Sequence, residues 1–180
     1  MVKRGTRGFT LVEMIMSLVI IVILAGLAGP LLAVSVDAMG LHMDRADLDE
    51  SASLALSRMG REIRRLRNDE SVVTASATVF EFVDNDDVQI RYRLTSTTLM
   101  RTQGANPESG LADQVQAGTL AFTYYDDDGN TIATPTVGLG TSTNIRRVRI
   151  QMTFATGTHS LPVQIDIRPR NLRHESEMFF

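Results

Sequence analysis

The chain has 180 residues, contains no cysteine and carries a formal charge of −3. Without cysteine it forms neither disulfides nor thiolate metal sites, and its acidic balance gives no support for nucleic acid as the main partner. Removal of the three N-terminal cations, Lys3, Arg4 and Arg7, would lower the charge to −6. The part outside the apolar N-terminal segment is long enough for one small domain with a modest core.

An apolar segment follows the short basic leader. Residues 14–36 form 23 consecutive positions without a charge, which is long enough for a helix to span a bilayer core of about 30 Å. Positive charge lies only on the N-terminal flank, so the leader is expected in the cytoplasm. A secretory signal has its cleavage site after the apolar run, whereas the sharp boundary here, between Gly8 and Phe9, lies before it.

Glu13 lies at the start of this segment, four residues after Phe9. A carboxylate inside a membrane helix costs roughly 2.5–3.5 kcal/mol on insertion scales, so such a residue normally has a partner. The alternative is that Glu13 stays close enough to the membrane surface to remain hydrated in an isolated chain.

The residues that stand out around this boundary are Gly8, Phe9, Thr10, Leu11, Val12 and Glu13, with Pro30 further along. Together they resemble the class III signal of type IV pilins and pseudopilins. The resemblance implies that prepilin peptidase cuts after Gly8 and that the new N-terminus, Phe9, is methylated. It also implies a role for Glu13 in filament assembly, where it can pair with the Phe9 amine of a neighbouring subunit. At Pro30 we expect a kink, or a locally melted stretch over residues 26–30.

Beyond the membrane segment, apolar residues recur at helical spacing and predict an amphipathic helix that continues to about Leu66. This helix stripe consists of Leu41, Leu48, Ala52, Ala55, Met59, Ile63 and Leu66. From Val72 onward the period becomes two, which predicts antiparallel strands with one apolar face. The expected fold class is α+β, with a long N-terminal helix, membrane-spanning in its first half, packed on an antiparallel β-sheet as in pilins.

Alternating apolar residues on both sides of an acidic turn at residues 84–87 predict a hairpin. Further alternation predicts strands near residues 99–101, 120–124, 131–133, 148–154 and 161–167. Two stretches, residues 102–118 and 135–144, are predicted to be irregular, and they are either subunit-specific contact loops or disordered segments. The domain organisation we expect is a cleaved leader at 1–8, a transmembrane or filament-core helix at 9–36, a periplasmic pilin-like domain at 37–172 and a tail at 173–180.

Two charged constellations have competing interpretations. Asp126, Asp128 and Asn130 resemble the start of a calcium loop, but the glycine is misplaced and Val137 occupies the position of the closing glutamate, so a hairpin turn is preferred. Several arginines crowd the helix end, namely Arg58, Arg61, Arg64, Arg65 and Arg67. Interleaved acidic residues favour helix-dipole stabilisation there over a nucleic-acid patch.

Catalytic patterns are weak. His42, His159 and His174 are scattered, and the sequence contains no nucleophile elbow, phosphate loop or metal-ligand spacing. We therefore expect no enzyme activity, no cofactor, no metal site and no small-molecule substrate.

The resemblance implies a structural minor pilin or pseudopilin, single-pass in the bacterial inner membrane with a cytoplasmic N-terminus and a periplasmic C-terminal domain. Its implied partners are prepilin peptidase and the other subunits of a type IV pilus or a type II secretion pseudopilus. Weaker features, including residues 122–126 and 168–172, resemble the J-type and W-type minor subunits. The alternative is a single-span periplasmic adhesin or DNA-binding receptor that uses the same export route.

Overall fold

A computed structural model describes residues 9–157 and 159–172, apart from the side chains of residues 33 and 36–44. The helix α1 (Leu11–Arg64) is 54 residues long. It is followed by a short 3-10 turn (Asp69–Ser71) and by β1 (Val72–Ala75), β2 (Val79–Val83), β3 (Gln89–Thr95), β4 (Thr98–Gln103), β5 (Ser109–Ala112), β6 (Ala121–Tyr125), β7 (Thr131–Ile132), β8 (Arg147–Thr156) and β9 (His159–Ile167). The predicted α+β class is confirmed. The chain divides into two compact units, Met1–Met43 and Asp44–Phe180.

The first unit contains the apolar part of α1. The backbone is helical through Gly26, Gly29 and Pro30. Local melting, one of the two expectations for this stretch, is therefore not seen in the single chain. A proline removes a single backbone donor, and membrane helices tolerate that loss where neighbouring groups compensate. The other expectation, a kink at Pro30, stays a prediction.

In the second unit, β1 to β5 form an antiparallel sheet in which each strand pairs with the next along the chain. The predicted hairpin is confirmed, with Phe80 opposite Tyr92 and Phe82 opposite Ile90. All four side chains are buried, because alternate positions of a strand share one face. The irregular stretch predicted at residues 102–118 was wrong in part, since residues 109–112 form β5. Its sequence, Ser-Gly-Leu-Ala, has no apolar alternation by which to recognise a strand.

The remaining strands form a second antiparallel sheet in the order β7-β6-β8-β9. The prediction of a single sheet is thus corrected to two, because β6 pairs with β8 further along the chain and not with β5. Hydrogen bonds from β6 to the loop between β1 and β2 join the two sheets. The Phe122 amide donates to the Ala77 carbonyl at 2.8 Å, and the Tyr124 hydroxyl donates to the Ser76 carbonyl at 2.7 Å.

One core lies between these sheets and α1. The Phe80 ring of the first sheet lies 5.8 Å from the Phe122 ring and 5.7 Å from the Tyr124 ring of the second, measured between centroids. The predicted helix stripe is buried from Leu48 to Ile63, while the Leu41 side chain lies outside the described residues. The helix ends at Arg64. Two residues later, the buried Leu66 pairs with Asp84 in an isolated antiparallel β-bridge.

The irregular stretch at residues 135–144 has no regular secondary structure, as predicted, but its backbone is bound to the start of the first sheet. The amides of Gly138, Gly140 and Thr143 donate to carbonyls of Val72, Glu70 and Asp69, respectively, at 2.9–3.1 Å. Of the two expectations for this stretch, disorder is therefore not supported.

Candidate processing and assembly site

The start of α1 is capped by Thr10. The Glu13 amide donates to the Thr10 hydroxyl oxygen at 3.3 Å, and the Met14 amide donates to the Thr10 carbonyl at 3.2 Å. Threonine at the N-cap with glutamate three residues later is the capping-box pattern. The cap satisfies an amide that the first turn leaves unpaired, which matters most where water is scarce. Thr10 and Glu13 carry this signal in the sequence, although the helix start was not predicted from it.

Glu13 lies in the first turn of α1, where the helix dipole favours a negative charge. Within residues 9–157 and 159–172, no cationic side chain forms an ion pair with its carboxylate. Phe9 lies just before the helix with 76% of its surface exposed, and Gly8 lies outside the described residues. A cation that pairs with Glu13 therefore has to come from outside the part of the chain that the structure describes or from another molecule.

Residues Leu11–Leu32 of α1 are long and apolar enough to cross a membrane. Their large apolar side chains are exposed in the single chain. The hydroxyls of Ser17 and Ser35 donate to the carbonyls four residues earlier at 2.7 and 2.8 Å, so both are satisfied within the helix. An apolar surface of this extent requires cover by lipid or by other helices.

Residues 3–29 match the family model described as the prokaryotic N-terminal methylation motif. The matched segment contains Gly8, Phe9 and Glu13, and it supports the resemblance to type IV pilins and pseudopilins. The motif indicates a pilin-like protein that is processed by prepilin peptidase and assembles with other pilin subunits. No curated protein matches the chain.

In this pilin-like chain the arginines at the C-terminal end of α1 have two kinds of environment. Arg61 and Arg64 lie in the last turn, where the helix dipole favours cations, as the sequence analysis expected. Arg65 and Arg67 pair instead with the acidic residues of the β2–β3 turn, Asp86 and Asp87, respectively. These long-range pairs attach the helix end to the hairpin, and no local pattern in the sequence predicts them.

The two acidic stretches are hairpin turns, as predicted. The buried Asp84 carboxylate accepts hydrogen bonds from the amides of Asp86 at 2.9 Å and Val88 at 3.0 Å. The Asp126 carboxylate accepts a hydrogen bond from the backbone amide of Asn130 at 2.7 Å. Both carboxylates therefore hold their own turns, in the manner of Asx turns.

A charged network below the helix end was missed in the sequence analysis. The Glu62 carboxylate accepts hydrogen bonds from Arg101 Nε at 2.9 Å, from Arg58 Nε at 3.1 Å and from the Tyr92 hydroxyl. Only 7% of the Arg101 side chain and 17% of the Glu62 side chain are exposed. The available signal was the position of Arg101, which lies two residues after Leu99 and therefore points to the same, buried side of β4.

Glu62 and Arg101 both stay charged in this network. Burial alone would raise the pKa of Glu62, but the hydrogen bonds from Arg101, Tyr92 and Arg58 outweigh burial and lower this pKa below its ordinary value of 4.5. Burial opposes the charge of Arg101, yet its interaction with Glu62 raises the pKa of that guanidinium. Burial, followed by the hydrogen bond to Glu62, raises the pKa of Tyr92. The network therefore joins an anion, a cation and a neutral phenol between α1 and the first sheet.

Proposed function

We propose that this chain is a structural minor subunit of a type IV pilus or of a type II secretion pseudopilus. Prepilin peptidase cuts after Gly8, and Phe9 becomes the methylated N-terminus. The helix over residues 9–36 holds the subunit in the inner membrane, with the leader in the cytoplasm and the globular domain in the periplasm, until the subunit enters the filament.

The main observation in support of the proposal is the methylation motif at residues 3–29, which includes the first turns of α1. The motif alone fits any subunit of this class. The finer assignment to a J-type or W-type minor subunit is supported by a Phe-Thr-Tyr-Tyr-Asp segment that ends β6 before an Asp-Gly turn. It is also supported by the Arg-Val-Arg-Ile sequence that begins β8.

The proposed role of Glu13 follows from the cost of its charge. An ionised carboxylate in an apolar segment is unfavourable on its own, and an opposite charge at short range offsets that cost only when the pair forms. Attraction between charges is strong in surroundings of low dielectric constant. The amine of a processed Phe9 on a neighbouring subunit is such a partner, so the pair would stabilise one axial arrangement of the two helices over others.

Mass spectrometry of the membrane-extracted protein tests the processing. We expect a chain that begins at Phe9 and carries one added methyl group, and we expect Gly8→Val to leave the leader attached. An unprocessed chain, or one cut after residue 36, would contradict the proposal.

A second experiment separates a filament subunit from an anchored receptor. Glu13→Ala and Glu13→Gln should leave membrane insertion and cleavage intact, because neither changes the cleaved bond and alanine removes a costly charge. Both should lower crosslinking to other pilin subunits at equal membrane abundance, while Ser17→Ala, one turn further along the helix, should not. Undiminished crosslinking in both Glu13 variants would favour the anchored receptor.

A further inference from the structure

The outer face of the second sheet, which points away from the core, carries two guanidinium groups stacked on one aromatic ring. Tyr125 at the end of β6 lies opposite Arg147, the first residue of β8. The guanidinium carbon of Arg147 lies 4.0 Å from the centre of the Tyr125 ring, and that of Arg149 lies 5.2 Å from it. All three residues are partly buried, so stacking on the ring restricts where the two positive charges lie.

The two guanidinium groups differ in their hydrogen bonds. Arg149 donates two hydrogen bonds to the Asp166 carboxylate, at 2.9 and 3.2 Å. Arg147 lies 3.9 Å from the same carboxylate, which is too far for a hydrogen bond. Within residues 9–157 and 159–172 the Arg147 side chain donates no hydrogen bond, although only 26% of it is exposed. It therefore presents a forked set of donors that matches the two oxygens of a further carboxylate.

A shallow depression of about 350 Å³ lies on the same face, further along β8. Its lining includes Thr119, Gln151, Thr153, Pro162 and Gln164. Gln151 comes four residues after Arg147, a separation of about 13 Å along a strand. The lining offers hydroxyl and amide groups and no charge. A chain that contacts both features therefore needs an anion at one point and uncharged hydrogen-bonding groups about four residues away.

We propose that the outer face of the second sheet binds an extended acidic segment of another protein, with one carboxylate of that segment bound to Arg147 beside Tyr125. Charge complementarity supports an acidic partner, because two guanidinium groups share the single carboxylate of Asp166. The exposed Arg168, directly after β9, adds a third cation near this end of the sheet. The inference does not depend on the proposed function, since it concerns the second unit alone.

The acidic β6–β7 turn gives the bound segment a direction. Asp126 follows Tyr125 directly, and its carboxylate is hydrogen-bonded within its own turn. No arginine among the described residues forms an ion pair with this turn, so its charges repel an acidic segment that approaches from that side. The segment should therefore run from Arg147 towards the uncharged depression.

Other kinds of ligand fit this face less well. Nucleobases stack on exposed aromatic rings, but two guanidinium groups already lie over the Tyr125 ring. A lipid surface is bound by cations together with exposed apolar side chains, and among the described residues no large apolar side chain of β6 to β9 is exposed. An extended peptide supplies a carboxylate and uncharged amides at the spacing that the face requires.

Selection of displayed peptides tests the inference. A library of random nonapeptides is selected on the full-length chain in detergent, with empty micelles as the counter-selection, and the best peptides are synthesised and titrated by fluorescence anisotropy. We expect the selected peptides to share one Glu or Asp beside uncharged polar residues. Replacement of that acid by its amide should weaken binding at least about tenfold, because a bidentate charged pair is lost.

Substitutions in the chain then test the geometry. Arg147→Gln should also weaken binding at least about tenfold, whereas Arg91→Gln, the same change at an exposed position of β3, should have no effect. Tyr125→Leu should weaken binding because the guanidinium groups lose the ring on which they stack, while Tyr125→Phe should bind like the natural chain. Asp166→Asn should strengthen binding, because the carboxylate that competes for both arginines is removed; a merely structural role of Asp166 predicts no such gain.

Several results would overturn the inference. They are the selection of peptides without an acidic residue, equal binding by the natural chain and Arg147→Gln, and weaker binding by Asp166→Asn. Stronger competition by polygalacturonate or single-stranded DNA than by unlabelled peptide would assign the face to a polysaccharide or a nucleic acid instead. If deletion of residues 173–180 strengthened binding at least about tenfold, the occupant would be this segment of the chain itself. Self-association of the full chain that the peptide reverses would identify a second copy as the occupant.

Discussion

Replacement of Glu62 by methionine should destabilise the second unit strongly, although Glu62 is only one of many charged residues. The substitution keeps the side-chain volume but removes the carboxylate that binds Arg101 at 2.9 Å. The guanidinium then stays in a place where only 7% of its side chain is exposed. Breaking a buried ion pair from one side costs about 3–5 kcal/mol. Because Glu62 retains 17% exposure, water reduces that cost, and we expect about 2–4 kcal/mol.

The same calculation predicts what repairs the damage. Arg101→Met alone leaves Glu62 without its main partner and should also destabilise. The double variant with methionine at both positions should recover part of the loss, since replacing a buried pair by apolar residues of similar volume is often neutral or stabilising, although the buried Tyr92 hydroxyl still lacks its acceptor. The coupling between the two substitutions should therefore reach at least about 1.5 kcal/mol.

Thermal unfolding of the full chain in detergent, followed by circular dichroism, measures these changes. We expect Glu62→Met to lower the midpoint by on the order of 10 °C. The control is Glu108→Gln, which breaks a more exposed pair with Arg93 on the surface of the first sheet and should change the midpoint little. Additive effects of Glu62→Met and Arg101→Met would refute the reasoning, because they would show that the two charges do not depend on each other.

Low pH should remove the stabilisation that the Glu62 carboxylate contributes to the folded protein. The pKa of Glu62 is lowered in the folded protein, so its stabilisation is fully present above the ordinary value of 4.5 and is lost as the pH falls through the folded pKa. Wild type should thus be more stable than Glu62→Gln near neutral pH and should approach it as the pH falls below 4.5. A stability difference that stays constant over this range would contradict the assignment of charges.

Substitutions at two buried positions of α1, Gly60 and Ile63, test its packing. Ile63→Asp should unfold the second unit, because Ile63 is fully buried and an unpaired carboxylate there cannot be hydrated; limited proteolysis of this variant should resemble that of an unfolded chain, while Ser57→Asp on the exposed side should resist. Gly60→Ala should stabilise by up to about 1 kcal/mol, since alanine favours the helix and its methyl would lie 3.5 Å from Ile165 Cδ1, an ordinary contact. Gly60→Leu should instead lower the unfolding midpoint through overpacking, and a midpoint equal to that of Gly60→Ala would show that the helix does not lie close to β9.

Periodicity predicted the helix and the longer strands of the second unit, because each has one buried face, but it missed β5, which has no apolar alternation. Leu48, Met59 and Ile63 recur at helical spacing and are buried together, and Phe80 and Phe82 alternate on one side of β2. The pairing of the elements was harder to predict. Nothing local distinguishes a β6 that continues the first sheet from one that pairs with β8, since both leave Phe122 and Tyr124 buried.

The N-terminal site can be predicted from the sequence, whereas the Glu62 network cannot. The site around Gly8, Phe9 and Glu13 is a contiguous signal, so residue order alone indicates it, and its function depends on partners outside the chain. The network joins Glu62, Tyr92 and Arg101, which are up to 39 positions apart. Only the fold brings them together, and a charged residue at an inward strand position was the one hint available.

A pair between Glu13 and the Phe9 amine of a neighbouring subunit should resist salt. The distance over which exposed charges act falls from about 8 Å at physiological ionic strength to about 3 Å at 1 M salt. The proposed pair would lie in the apolar part of the filament, where salt screens little. Washing assembled filaments at about 1 M salt should therefore leave retention of the subunit dependent on Glu13, so that Glu13→Gln is released more readily than wild type. Equal release of both proteins at this salt concentration would show that the carboxylate of Glu13 is not paired in an apolar setting.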